Sequence, residues 1–337
     1  MRAFSSATPP KKNAPRYAFV DMQLAGHLKN LVQDNQIMAV LLGIILGVVF
    51  PHVFSPLNNY TTQLLILVFF FSSLRLSLDE IVSYGRDWRL LTNSALFMLV
   101  LMPFALYLPV LPFAPDWAVA LLIMGAMPTG MTIALVAEFF GGKTSLALVI
   151  TAVTSLLAPI TIPLVTKVAL GTAVPIPMFS MFWSLFLTIV IPFVLAMVLK
   201  SRIPKRIAKH DSLWRNISVV AFGLLVTGIT AASVTGNPIS ISWRDGAVLA
   251  FTLPWLAILI WAAYRITPWR TPPERMTVAL CMLYMNNTLA LYVADKFFKD
   301  QNATPKQIML LMVVNALLPM VKIAAARVLH KTPHIQK

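Results

Sequence analysis

The chain has 337 residues, 58% of them hydrophobic and only 12% charged, with a mean hydropathy of +0.78. Soluble domains average about 25% charged residues, so this composition over this length excludes an ordinary globular enzyme. A net charge of +15 would suggest nucleic acid in a soluble protein, and the single cysteine, Cys281, leaves no pair for a disulfide or thiolate cluster within the chain.

Residues 1–34 are polar and basic, with Pro9, Pro10, Lys11, Lys12, Pro15 and Arg16, and lack the continuous apolar run of a cleavable signal peptide. They read as a tail ending in a surface helix near residues 20–32. Ten apolar segments follow, at 36–55, 60–78, 89–111, 117–140, 144–169, 178–199, 214–235, 246–266, 275–298 and 305–328. Each is near or above the ~20 residues that cross a bilayer as a helix. The expected fold class is therefore an all-α polytopic membrane protein with about ten transmembrane helices. Placing the N-terminus in the cytoplasm puts 22 of the 27 Lys and Arg on the cytoplasmic side. The positive-inside rule thus sets both termini in the cytoplasm, in an inner or plasma membrane. The cluster Lys200, Arg202, Lys205, Arg206 and Lys209 reads as a topology determinant rather than a nucleic-acid site.

The fourth segment is interrupted at Gly125-Ala126-Met127-Pro128-Thr129-Gly130. Proline removes an amide donor and crowds the preceding turn, and glycine weakens helix. The ninth is interrupted at Met285-Asn286-Asn287-Thr288, where short polar side chains can bond to backbone in place of the helical ladder. Unwound backbone at membrane depth persists only where protein buries it or where it lines a cavity. A matching pair of broken spans is the sequence pointer to a transporter's binding site.

The polar stretch near residues 200–215 divides the segments five and five, which gives the halves opposite orientations. Residues 132–140, TIALVAEFF, resemble residues 288–298, TLALYVADKFF; residues 155–159, SLLAP, resemble residues 315–319, NALLP. The expected organisation is a tail at 1–34, a first five-helix repeat at 35–200, a basic cytoplasmic linker at 201–213, an inverted second repeat at 214–330, and a tail at 331–337.

Residues 125–159, GAMPTGMTIALVAEFFGGKTSLALVITAVTSLLAP, carry a proline-glycine break, a short loop and a threonine-rich span with Leu-x-x-Pro. In this the chain resembles the bile acid:sodium symporter family, in its broader bacterial and archaeal membership. Met285-Asn286-Asn287 stands where that family has Met-Gln-Asn. The resemblance implies ten helices in two subdomains: a panel (spans 1, 2, 6 and 7) and a core (spans 3–5 and 8–10) in which two broken helices cross. Substrate would bind at the crossing, reached alternately from either side.

Sodium-coupled members of that family have Ser-Asn where this chain has Ile133-Ala134. They have serine at the position of Ala147 and glutamate at that of Met282. Four side-chain oxygens of one sodium site are therefore replaced, leaving Thr151 and Asn286 as the ligands available if sodium binds. No other cofactor is expected.

The candidate substrate-binding residues are Thr129, Thr132, Thr151, Asn286, Asn287, Thr288 and Asn315, with Thr154 and Ser155 nearby as groups that could equally be glue between helices. None is charged. With no acid to offset the positive helix ends at the breaks, an anionic solute is favoured over a cation. Glu138 and Asp295 occupy equivalent places in the two repeats. They are candidates for ion or proton coupling, against the simpler reading of interfacial acids paired with lysine. There is no HExxH motif, and no base to activate a serine, so catalysis is not expected. The sequence points to a secondary active transporter of a small organic anion, with the solute and the bilayer as partners and no nucleic acid. A proton-coupled or uncoupled carrier, a channel and a receptor remain open; oligomeric state is not readable.

Overall fold

The computed structural model describes residues 35–76, 84–85, 87–130, 133, 136–137, 140–171, 174–236 and 242–314. Among them all regular structure is helical apart from one isolated β-bridge. That follows from the composition, because a helix satisfies its own backbone donors and acceptors without water. Five helices are long and apolar enough to cross a bilayer: α3 (Trp88–Tyr107), α5 (Thr144–Leu170), α6 (Met178–Arg202), α7 (Asp211–Gly236) and α8 (Trp243–Arg265). A bent pair, α1 (Asn35–Val49) followed by a segment Pro51–Ser73 that ends in α2 (Thr61–Ser73), turns by 110° and counts as a sixth. The expected junction between the first two spans lay near residues 56–59, but the chain turns earlier, at Phe50. Pro51 cannot extend α1 and instead starts the next turn.

Among the described residues, the remaining apolar segments form shorter helices. They are α4 (Pro115–Gly125), α9 (Pro272–Leu283), α10 (Asn287–Phe297) and α11 (Ala303–Val314). At a rise of 1.5 Å per residue, an 11-residue helix reaches ~17 Å, about half the hydrocarbon core. Residues 117–125 of α4 are buried all round, as befits a helix enclosed by protein on every face.

Two helices widen locally. α3 has a π turn at Phe97–Leu101 just ahead of Pro103, and α6 has one at Phe186–Val190 just ahead of Pro192. The proline amide cannot complete the i→i−4 ladder, and the wider turn absorbs the mismatch without breaking the helix. Within the basic stretch after α6, Pro204–Lys209 forms a short helix anchored by buried Ile207, whose carbonyl accepts from Trp214 Nε1 at 3.2 Å.

Packing separates into two groups. α1, α2, α6 and α7 form one and α3, α4, α5, α8 and α9 the other; they meet where α5 packs along α6 and where α10 touches α4 on one side and α2 and α7 on the other. The α1–α7 contact is close because Gly43 and Gly47 face it. A Cβ at Gly43 would stand 2.8 Å from the Gly223 carbonyl, and one at Gly47 2.8 Å from Thr230 Cβ. Small residues four apart are the usual means of drawing membrane helices together. Large apolar side chains such as Phe179, Trp183 and Trp261 lie exposed, and Trp88 and Trp243 stand at the starts of α3 and α8. Such a surface suits lipid, with aromatic rings at the interface.

Charges sit at helix starts. Lys143, the residue just before α5, lies 3.8 Å from Glu274 in the first turn of α9. Lys306, in the first turn of α11, lies 3.0 Å from Asp116 in the first turn of α4. Arg270, just before α9, bridges Asp87 at 2.7 Å, the residue that caps α3. Trp117 Nε1, at the start of α4, donates to Asp245 at 2.6 Å in the first turn of α8.

Candidate functional site at the crossing of two interrupted helices

α4 ends at Gly125 and the chain runs unwound through residues 126–130. α9 ends at Leu283, and α10 begins only at Asn287. Between these ends Thr129 and Met285 pair as an antiparallel bridge. The Gly130 amide donates to the Tyr284 carbonyl at 2.7 Å, and the Asn286 amide donates to the Pro128 carbonyl at 2.8 Å. Each unwound segment thus supplies the backbone partners that the other lost when its helix stopped. Unpaired amides in an apolar interior are too costly to leave.

Two side-chain features hold this geometry. Asn286 Oδ1 accepts from the Leu289 amide at 3.1 Å and caps α10, so the ninth segment breaks without glycine or proline, as its Asn-Asn-Thr run anticipates. Gly130 lies against Tyr284, where an added Cβ would meet the ring at 2.8 Å and the Met285 carbonyl at 3.3 Å, so a larger residue would have to displace that ring.

Thr129 is wholly buried: its hydroxyl faces Met98 Sδ at 3.2 Å and the Cys281 carbonyl at 3.4 Å, and its amide donates to Thr154 Oγ1 at 3.4 Å. Thr154 and Thr151 donate to the carbonyls four residues back, Ile150 at 2.7 Å and Ala147 at 2.8 Å. Ser155 is buried and its Oγ has no partner among the described residues, a free hydroxyl one residue from the group that holds Thr129. Asn287 is half-buried and Thr288 buried at the first turn of α10. The structure therefore brings Thr129, Thr151, Thr154, Asn286, Asn287 and Thr288 to the two breaks and the helix beside them. Thr132, Glu138 and Asn315 lie outside the described residues. Ile133, Ala147 and Met282, which stand where the resembled family has oxygen-bearing residues, are all buried. Asp295 is buried and 3.8 Å from Lys299. Its neighbour Lys296 turns instead to a group of hydroxyls on α2, α6 and α10: Thr62, Ser184 and Tyr292.

That hydroxyl group escaped the sequence reading, and so did the part Thr154 plays. The signals were present as spacing: Thr151 and Thr154 stand three apart on α5, and Thr288, Tyr292 and Lys296 stand four apart on α10. Spacing names a face but not the distant residues it meets.

An open groove of about 290 Å³ lies between α3 and α5, lined by residues such as Leu91, Leu96, Leu99, Val100 and Leu157. It shares no residue with the crossing and is almost wholly apolar.

Residues 34–331 match the SBF-like CPA transporter family. The chain belongs to that family. Membership agrees with the symporter resemblance carried by residues 125–159, and the apolar helices make this SBF-like protein an integral membrane protein. It is also 25% identical over 206 residues to the uncharacterized sodium-dependent transporter YocS of Bacillus subtilis (strain 168), an alignment that covers 59% of this chain and 61% of that protein. Among the described residues of the SBF-like chain, no three His, Cys, Asp or Glu side chains group as metal ligands.

Proposed function

We propose that this SBF-like protein is a secondary carrier of a small organic anion, working by alternating access at the crossing of its two broken helices. The observation that carries the reading is the Thr129–Met285 pair, in which two unwound segments complete each other's backbone. Unwound main chain at membrane depth is either buried in protein or lines a cavity, and a matching pair of such breaks points to a transporter's binding site.

The proposal includes ten spans in a five-plus-five inverted repeat. Supporting it, the charged contacts at helix starts come in exchanged pairs. The lysine opening α5 reaches the acid opening α9, and the lysine opening α11 reaches the acid opening α4. A donor at the head of α9 holds the acid at the start of α3, and a donor at the head of α4 holds the acid at the start of α8. Exchanging the fourth span with the ninth, the fifth with the tenth and the third with the eighth maps each contact onto its counterpart. Trp88-Arg89 and Trp243-Arg244 open the equivalent helices α3 and α8. The group α1, α2, α6 and α7 would be the panel, and the rest the core that moves against it, with both termini cytoplasmic.

An anion suits the crossing because the N-terminus of α10 points into it and none of the crossing residues is acidic. Asn287 and Thr288 offer hydrogen bonds there. Sodium fits the same place poorly: Ile133, Ala147 and Met282 bring no oxygen, Thr151 Oγ1 is bonded to Ala147 and Asn286 Oδ1 caps α10. We therefore assign no step to sodium bound at the usual site. The name of the Bacillus subtilis relative favours a second reading, sodium coupling through other ligands. Uptake into proteoliposomes with sodium replaced by potassium separates the two: uptake that persists supports a proton-coupled or uncoupled carrier, and uptake that vanishes supports sodium.

A further inference from the structure

Helix α10 carries a polar stripe from the crossing outward. Thr288, Tyr292 and Lys296 stand four residues apart and so share one face, spanning ~12 Å at 1.5 Å per residue. At its far end Lys296 Nζ donates to Tyr292 Oη at 2.8 Å, Ser184 Oγ at 3.0 Å and Thr62 Oγ1 at 3.4 Å. Tyr292 Oη is itself 3.0 Å from Ser184 Oγ and 3.1 Å from Thr62 Oγ1. Thr62 is on α2 and Ser184 on α6, so the cluster joins the panel to the core.

This cluster brings more hydrogens than the contacts within it use. One ammonium and three hydroxyls bring six hydrogens, and five contacts join them. At least one hydrogen is left over, and none of the four groups is an anion. Among the described residues no carboxylate lies within ion-pair distance of Lys296. Neighbouring Asp295 pairs with Lys299 and more distant Asp116 with Lys306. On the proposed topology Lys296 faces the outside, where the positive-inside rule disfavours cations. Lys296 is exposed while Tyr292 is buried beside it, so a solute can reach the ammonium and find oriented hydroxyls behind it.

We propose that Lys296, Tyr292, Ser184 and Thr62 form an anion-binding subsite that receives the carboxylate of an organic acid before it reaches the crossing. The inference rests on the carrier reading for its purpose, but binding alone tests it. A carboxylate accepts up to four hydrogen bonds and supplies the missing negative charge. Its loss should therefore be read at Lys296 more than at any hydroxyl.

Purified full-length protein is titrated with acetate, pyruvate, benzoate and decanoate, and with the amide of each acid, following the melting temperature. At least one carboxylate should raise it saturably while its amide does not. Lys296→Met should weaken that binding tenfold or more, the scale of one charge-assisted hydrogen bond, and Lys296→Arg should restore most of it. Should Lys296→Met itself fail to fold, Ser184→Ala with Thr62→Val keeps the charge and should weaken binding several-fold. No carboxylate-specific stabilisation of the wild type, or equal affinity in Lys296→Met or in the double variant, would overturn the subsite. The carrier reading fails on a different result, unaltered uptake in crossing variants such as Asn287→Leu.

Discussion

α4 stops at Gly125 in a stretch that also holds Pro128 and Gly130, whereas α9 stops at Leu283 in a stretch with neither residue type. The first break is enforced by what its residues cannot do: proline cannot donate and glycine does not hold helix. The second is made by what a side chain can do, since Asn286 caps the next helix. The two segments nevertheless meet through backbone bonds of nearly equal length, 2.7 and 2.8 Å. The shared requirement is that each unwound stretch finds its partners in the other, and several residue types meet it. What differs is the tolerance to substitution, and that is where the comparison can be broken.

The largest effect is expected at the second break. Asn287→Leu and Thr288→Val should each reduce uptake more than tenfold while the melting temperature changes little, both read on the same proteoliposome preparations. If those groups only glued helices together, the loss would instead follow stability, at about 0.6–2 kcal/mol per interhelical hydrogen bond. The exchanged ion pairs come next. Asp116→Asn takes the counter-charge from Lys306, whose side chain is 8% exposed and which keeps only the Asn302 carbonyl at 3.4 Å; it should cost about 2–3 kcal/mol, less than the ~3–5 of a fully buried pair because Asp116 itself is 43% exposed. Its counterpart Lys143→Met should cost about 0–1 kcal/mol, because Lys143 is 46% exposed and Glu274 keeps Arg270. Chemical denaturation of the two variants gives the difference.

At the first break, Gly130→Val should destabilise by about 1–3 kcal/mol, since its side chain would be driven against Tyr284. Pro128→Ala should change uptake only a few-fold, because it is the Pro128 carbonyl, retained in alanine, that accepts from Asn286. Of the substitutions at the two breaks, Asn286→Ala should destabilise least, by about 1 kcal/mol for a lost helix cap. A larger loss from Asn286→Ala than from Gly130→Val would reverse the ranking of the two breaks.

Much of this was legible in the sequence, for identifiable reasons. Apolar runs read directly as helices, and Gly125, Pro128 and Gly130 act on their own backbone, so the first break needs no tertiary knowledge. Asn286 acts three residues ahead, and the second break was legible on the same local ground. The junction at Phe50 was misplaced because a proline inside an apolar run reads equally as a kink or a boundary, and only the 110° turn decides it. The backbone pairing of residues 128–130 with 284–286 and the Lys306–Asp116 pair join residues more than 150 positions apart. No spacing rule reaches that far. The same limit hid Ser184 and Thr62, although the Tyr292–Lys296 half of their cluster stands at plain helical spacing.

The central claim is that the crossing is open to each side of the membrane in turn, and accessibility of one thiol tests it most directly. In a Cys281→Ala background, Asn287→Cys is exposed to a membrane-impermeant thiol reagent in right-side-out and in inside-out vesicles. The account predicts modification from both faces, with the ratio of the two rates shifting when a saturating organic anion is added. Modification from one face only, or from neither, would contradict it.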